Sequence, residues 1–134
     1  MAENPNNIDM QPYVLIIEHD PELRKIMELS LEQTGAKVTG VGRFANALHI
    51  LQEKPPDVFV VDFDLQDGDP GNLIDTFREC SSNHKSPVMV STANRLEDEW
   101  RRKHKPDSVI YKPFDIRYLI RLVTLLLKNK PVPA

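Results

Sequence analysis

The feature that most restricts this chain is an alternation of short apolar runs with amphipathic stretches. The runs are Tyr13–Ile17, Lys37–Val41, Val58–Val61, Val88–Ser91 and Ser108–Tyr111. Three are continuous and rich in Val and Ile, the pattern of strands covered on both faces. Between them apolar residues recur at helical spacing. Leu23, Ile26, Met27 and Leu31 form one stripe, with Asp20 as N-cap and Pro21 at the first helical position. Phe44, Ala47, Leu48 and Leu51 form a second, and Leu73, Ile74 and Phe77 a third. Ile116, Leu119, Ile120, Val123 and Leu127 form the last, with Asp115 as its cap. The stretch 94–105 is weaker, with only Leu96 and Trp100 apolar, and predicts a short or loosely docked helix. Strands alternating with helices make βαβ units, hence an α/β fold with a doubly wound, five-stranded parallel sheet and helices on both faces.

The 134 residues fit one domain of ordinary size, able to bury a core without disulfide or structural metal. Cys80 is the only cysteine, which excludes an intrachain disulfide and suits a reducing compartment. The formal net charge of −3 argues against a general nucleic-acid binder, and the basic run 101–105 follows acids that balance it. The polar N-terminus lacks the apolar core of a signal peptide, and no run approaches the ~18 apolar residues of a membrane span. The chain is expected to be soluble and cytoplasmic. Residues 1–12 read as a loose tail, 13–129 as the folded domain, and 130–134 as a tail or the start of a linker.

In a doubly wound sheet, ligands sit beyond the carboxyl ends of the strands, where the strand order reverses. Those ends carry Glu18 and His19, Asp62 and Asp64, Thr92, and Lys112. Each has an ordinary account: a loop or capping aspartate, a threonine N-cap, a solvated lysine. Their placement at one edge gives a second reading. Carboxylate, hydroxyl and ammonium together can handle a phosphoryl group, the carboxylate attacking and cations neutralising the phosphoryl oxygens. Neither a phosphate-cradling GxxxxGK[ST] loop nor a GxGxxG turn is present, so nucleotide binding has no support.

With "VLIIEHDPELRK", "PPDVFVVDFDLQDGD", "SPVMVSTAN" and "YKPFD" in order, residues 13 to 128 resemble the receiver domain of two-component response regulators, a flavodoxin-like (βα)5 fold. The resemblance implies that Asp62 accepts a phosphoryl group from a histidine kinase or histidine phosphotransfer protein. It makes Thr92 the switch hydroxyl, Lys112 the ammonium partner, and Lys112–Pro113 a cis bond. It implies a Mg2+ site formed by Glu18, Asp62 and the backbone carbonyl of Asp64. A downstream protein or output domain would read the signal, and a homodimer through the fourth helix, fifth strand and fifth helix is compatible with it. The implied role is signalling rather than enzymatic.

Several positions depart from the family's pattern. His19 stands where an aspartate normally touches Mg2+, and imidazole suits Zn, Cu, Fe or Ni better than Mg2+. Two readings of His19 follow: a solvent-facing loop residue, or an imidazole among Glu18 and Asp62 that replaces part of the metal's charge. Val109 stands at the switch position usually held by Tyr or Phe, and Gln66 replaces a proline. Two other functions therefore stay open: a pseudo-receiver that binds partners without phosphorylation, and, remotely, a haloacid-dehalogenase-like phosphatase suggested by the D-x-D at Asp62 and Asp64. The remaining histidines, His49, His84 and His104, have no partner at metal-ligand spacing.

Overall fold

A computed structural model of the chain describes residues 11–81 and 87–128. Five parallel strands form one sheet in the order β2-β1-β3-β4-β5: β1 (Tyr13–Ile17), β2 (Lys37–Val41), β3 (Val58–Asp62), β4 (Val88–Thr92) and β5 (Ser108–Tyr111). The helices are α1 (Pro21–Glu32), α2 (Phe44–Glu53), α3 (Pro70–Cys80), α4 (Asp98–His104) and α5 (Ile116–Lys128). Strands β3 and β4 each run one residue further than their apolar runs predict, to Asp62 and Thr92. The polar residues that end those strands are thus held by the ladder itself.

The two-residue period of the strands divides the core into two layers. Val14, Ile16, Val58, Val60 and Met89 point to one face, where Met27 and Leu31 of α1 and Leu119 and Val123 of α5 cover them. Leu15, Ile17, Phe59, Val61 and Val90 point to the other, under Ala47 and Leu51 of α2 and Leu73, Ile74 and Phe77 of α3. One correction concerns α1: Ile26 is 52% exposed, and the buried stripe runs through Leu23, Met27 and Leu31. Its i, i+4, i+8 spacing leaves Ile26 on the solvent side.

Caps hold the chain where it turns over the sheet's edges. Asp20 Oδ1 accepts the N–H of Glu22 (3.0 Å), and Asp69 Oδ1 that of Gly71 (2.9 Å), each just before a proline that opens the helix. Asp115 does the same for Arg117 (2.8 Å) at the start of α5. At the opposite edge two aspartates act alike. Asp57 accepts from the N–H of Tyr13 (2.8 Å) and donates its own N–H to the Tyr13 carbonyl; Asp107 does both with Val88 (2.8 and 2.9 Å). Each aspartate extends the ladder past the strand that follows it.

Helix α4 is short, as expected, but it is firmly docked. Trp100 meets Phe63 edge to face at 5.0 Å and packs on His104 at 4.8 Å, while Leu96, ahead of the helix, lies fully buried in the core. Of the expected loose N-terminal tail, residues 1–10 lie outside the described residues. Pro12 is tied in, its carbonyl accepting from Lys37 at 2.7 Å. Residues 130–134 also lie outside them.

Candidate functional site

Strand β1 lies between β2 and β3, so the chain leaves its carboxyl end in one direction and returns to the sheet on the other side. This is the reversal point where an open α/β sheet leaves a crevice. Glu18 follows β1, Asp62 ends β3, and Lys112 follows β5. Glu18 and Asp62 are fully buried, an expensive position for two carboxylates unless both are paired.

Their partners converge from three segments, the loops after β1, β3 and β5. Lys112 Nζ stands 2.9 Å from Glu18 Oε1 and 3.1 Å from Asp62 Oδ1. The contact with Glu18 matches charge more than hydrogen-bond direction, leaving Oε1 without a well-aligned donor. Asp62 Oδ1 also accepts the N–H of Asp64 (2.9 Å), and Glu18 Oε2 that of Asp20 (3.0 Å). On the far side His19 Nδ1 lies 2.6 Å from Asp62 Oδ2 and 3.4 Å from Glu18 Oε2. An ionised carboxylate only accepts, so at 2.6 Å the proton of this contact belongs to Nδ1. The His19 ring is 42% exposed yet reaches both acids, so it combines the two sequence readings: solvent on one side, carboxylates on the other.

The two acids respond differently to this setting. Burial pushes the Glu18 carboxyl above its ordinary value, and the Asp20 N–H and Lys112 only partly counter it. Burial acts on Asp62 in the same sense, but the bonds from His19 and the Asp64 N–H, with the charge of Lys112, outweigh it and hold Asp62 below the usual range. Burial works against the charge on Lys112, whereas its contacts with Glu18 and Asp62 favour it and win, raising its pKa. Asp62 is therefore the firmly ionised member of the pair.

Two expected members have side chains engaged in neighbouring turns, although the Asp64 backbone, which the resemblance gives as the metal donor, adjoins the centre through its N–H on Asp62. Thr92 is fully buried at the end of β4, but its hydroxyl closes a local turn, donating to the Asn94 carbonyl (2.9 Å) and accepting from the Asn94 N–H (3.1 Å). The side chain of Asp64 points to the neighbouring loop, where it accepts from the N–H of Ala93 (3.0 Å). Val109 is partly buried and packs against the core layer under α2 and α3. The Lys112–Pro113 bond is cis, as the resemblance implies.

Sequence reasoning missed two groups. Arg24 donates to the Glu18 carbonyl (2.8 Å), crossing a space that a side chain at Gly42 would fill: a Cβ there would stand 2.4 Å from the guanidinium. A glycine opposite an arginine in a neighbouring loop was the available signal. The second group is His104, only 5% exposed, with Nδ1 3.2 Å from Asp75 Oδ1 and its backbone carbonyl accepting from Arg78. Asp75 is 29 residues away, beyond any local spacing rule. The basic run is thus a solvated face with one buried member. His84 lies outside the described residues.

Glu18, His19 and Asp62 each offer one donor atom, all within 4.8 Å of one another, so they can together hold a metal ion. The set is not that of Mg2+, which requires oxygen donors in a strict octahedron, because an imidazole nitrogen occupies its centre.

The family described as response regulator receiver domain matches residues 14–124. A 14.6 kDa uncharacterised protein from Leptolyngbya boryana is 30% identical over 112 residues, covering 82% of this chain and 86% of its own. The virulence transcriptional regulatory protein PhoP of Salmonella typhimurium is 31% identical over 122 residues, 87% of this chain; the chain spans about half of PhoP's length (52%). Among solved structures, a response regulator receiver protein from Sinorhizobium medicae is 27% identical with a TM-score of 0.78, covering 90% of this chain and 98% of that one. The Francisella response regulator 1452 receiver domain is 26% identical with a TM-score of 0.76, covering 88% and 98%. The match replaces the phosphatase alternative, since the D-x-D motif stands on the third strand of a receiver sheet. By sheet order, the carboxylate pair at the reversal point and a match over most of its length, the chain belongs to the response regulator receiver domains, signalling modules of two-component systems.

Proposed function

We propose that Asp62 accepts a phosphoryl group and that the domain thereby changes its affinity for a partner. The observation that carries this is the state of its carboxylate: buried, ionised, and faced by Lys112 at 3.1 Å at the open edge of the sheet. One Asp62 oxygen attacks phosphorus as the bond to the donor breaks. With a phosphohistidine donor the electron pair returns to the imidazole, which takes a proton from solvent. With acetyl phosphate, acetate leaves. Lys112 neutralises charge on the phosphoryl oxygens, and the Thr92 hydroxyl binds one of them after releasing the Asn94 turn. The partners are a sensor histidine kinase or histidine phosphotransfer protein, and a downstream protein or output domain. Val109 leaves the response without an aromatic at the switch position of β5. Among the described residues no helix is long and apolar enough to cross a membrane, and we place the domain in the cytoplasm with its kinase.

A second reading has its own support. Both Asp62 oxygens are already engaged, by Lys112 and the Asp64 N–H on one and His19 on the other, and the Thr92 hydroxyl is committed to Asn94. A pocket so satisfied suits a module that binds partners without phosphorylation. Intact mass after incubation with acetyl phosphate, and separately with a phosphorylated phosphotransfer domain, decides between them. A single phosphoryl adduct absent from Asp62→Asn supports the phosphoacceptor. No adduct from either donor, in a folded protein, leaves the binding module.

A further inference from the structure

We propose that His19 changes the cation class of this pocket from Mg2+ to a divalent transition ion that accepts imidazole, such as Co2+, Ni2+ or Zn2+. The inference rests on the reading of the pocket as an ion-assisted phosphoryl site, but its test needs no phosphoryl transfer.

Glu18, Asp62 and Lys112 divide their contacts by side. Lys112 occupies Oε1 of Glu18 and Oδ1 of Asp62, which leaves Oε2 and Oδ2 facing His19 Nδ1. Nδ1 and Oε2 are 3.4 Å apart. Two donors bound at about 2.0–2.2 Å to one tetrahedral ion stand roughly 3.4 Å apart, so this pair is already spaced for an ion. The Nδ1 to Oδ2 contact, at 2.6 Å, opens by under about 1 Å to admit one. Both carboxylates are pinned, Glu18 by the Asp20 N–H and Asp62 by the Asp64 N–H, so they do not need to be ordered on binding. On ion binding Nδ1 gives up its proton and its hydrogen bond to Asp62, and the half-exposed ring carries its single proton on Nε2 and offers Nδ1 to the ion. With that neutral ring, two carboxylates against one ammonium leave the pocket one negative charge, which favours a cation.

A nitrogen donor separates the ions. Mg2+ keeps oxygen ligands and binds imidazole poorly, whereas Co2+, Ni2+ and Zn2+ take nitrogen and carboxylate together. Any carboxylate site prefers transition ions to some degree, so the diagnostic quantity is how the preference changes when position 19 changes.

The experiment is equilibrium dialysis of the whole chain against Co2+ or Mg2+, for wild type, His19→Ala and His19→Asp, with proton NMR of the Co2+ form. We expect one Co2+ per chain, a paramagnetically shifted imidazole resonance missing from His19→Ala, and a Co2+ over Mg2+ preference at least ten-fold greater than in His19→Asp, on the order of a ligand exchange. The proposal is overturned by an equal preference in wild type and His19→Asp, by Co2+ binding that survives His19→Ala, or by a wild type that binds neither ion. Because His19 is a half-exposed loop residue, circular dichroism should show all three proteins folded; if His19→Ala does not fold, the His19→Asp comparison alone decides. Acetyl phosphate labelling of the same samples keeps the two readings apart, since a pocket that binds Co2+ but takes no phosphoryl group refutes the phosphoacceptor and leaves the ion assignment standing.

Discussion

Replacing Lys112 with methionine removes the ammonium that faces both buried acids while keeping most of the side chain's length and apolar stem. Removing one member of a buried ion pair typically costs about 3–5 kcal/mol, because the remaining charge has lost its counterion but not its burial. Here Lys112 is 16% exposed and Asp62 keeps its bonds from His19 and the Asp64 N–H, which points to the low end, about 3 kcal/mol at neutral pH. That corresponds to a fall of about 10 °C in Tm, or of about 1.5 M in the urea midpoint. Trp100, the single tryptophan, reports the transition by its emission. The loss also depends on pH in a specified direction. Burial already places the Glu18 carboxyl above its ordinary 4.5, and without Lys112 it rises further. The native state then holds a proton that the unfolded chain has released. Stability from this group is therefore greatest below the unfolded value and is lost as pH rises through the folded one. The gap between variant and wild type should narrow by about 1 kcal/mol between neutral pH and about pH 5. Adding Glu18→Gln to the variant should recover most of the loss at neutral pH. A loss under about 1 kcal/mol, or a gap that stays constant or widens on acidification, would refute the reasoning.

Asp62 titrates in the opposite sense: its folded value lies below the ordinary 3.8, so its contribution is present above that value and fades as pH falls through the folded one. Acid unfolding of Asp62→Asn, followed by circular dichroism, should accordingly be shallower than that of wild type below about pH 4. Gly71→Ala should destabilise by about 1–3 kcal/mol, because the new Cβ would stand 2.6 Å from the ring of the buried His104. Urea unfolding should show most of that loss relieved when His104→Ala is combined with it; an additive double variant would place the cause elsewhere. Asp107→Ala should cost about 1–2 kcal/mol by stranding the Val88 N–H and releasing Arg78, measured by the same unfolding curves.

The sequence by itself determined the architecture, because the signals that specify it are local. A two-residue apolar period and continuous Val/Ile runs mark strands, a four-residue recurrence marks helices, and Asp-Pro pairs at 20–21 and 69–70 mark where two helices begin. Where local periodicity was ambiguous the reading slipped. Ile26 fits the α1 stripe almost as well as Met27, and only the direction of the sheet decided which was buried. The stretch 94–105 looked loose because its anchors are Trp100 on Phe63 and His104 on Asp75, partners from other segments.

The site divides along the same line. Which residues occupy the strand ends follows from the strands, so Glu18, His19, Asp62, Thr92 and Lys112 could all be named in advance. Their mutual distances could not. His19 and Asp62 are 43 residues apart in the chain, and Lys112 and Asp62 are 50; only strand order and register bring them to 2.6 and 3.1 Å. The same register, with the Asn94 turn, draws the Thr92 hydroxyl into its own loop. Hydrogen bonding set the two acids apart, since both are fully buried and share one ammonium while only Asp62 receives the imidazole at hydrogen-bond distance. Residue type and period are properties of the chain; distance, burial and charge pairing exist only once the sheet has formed.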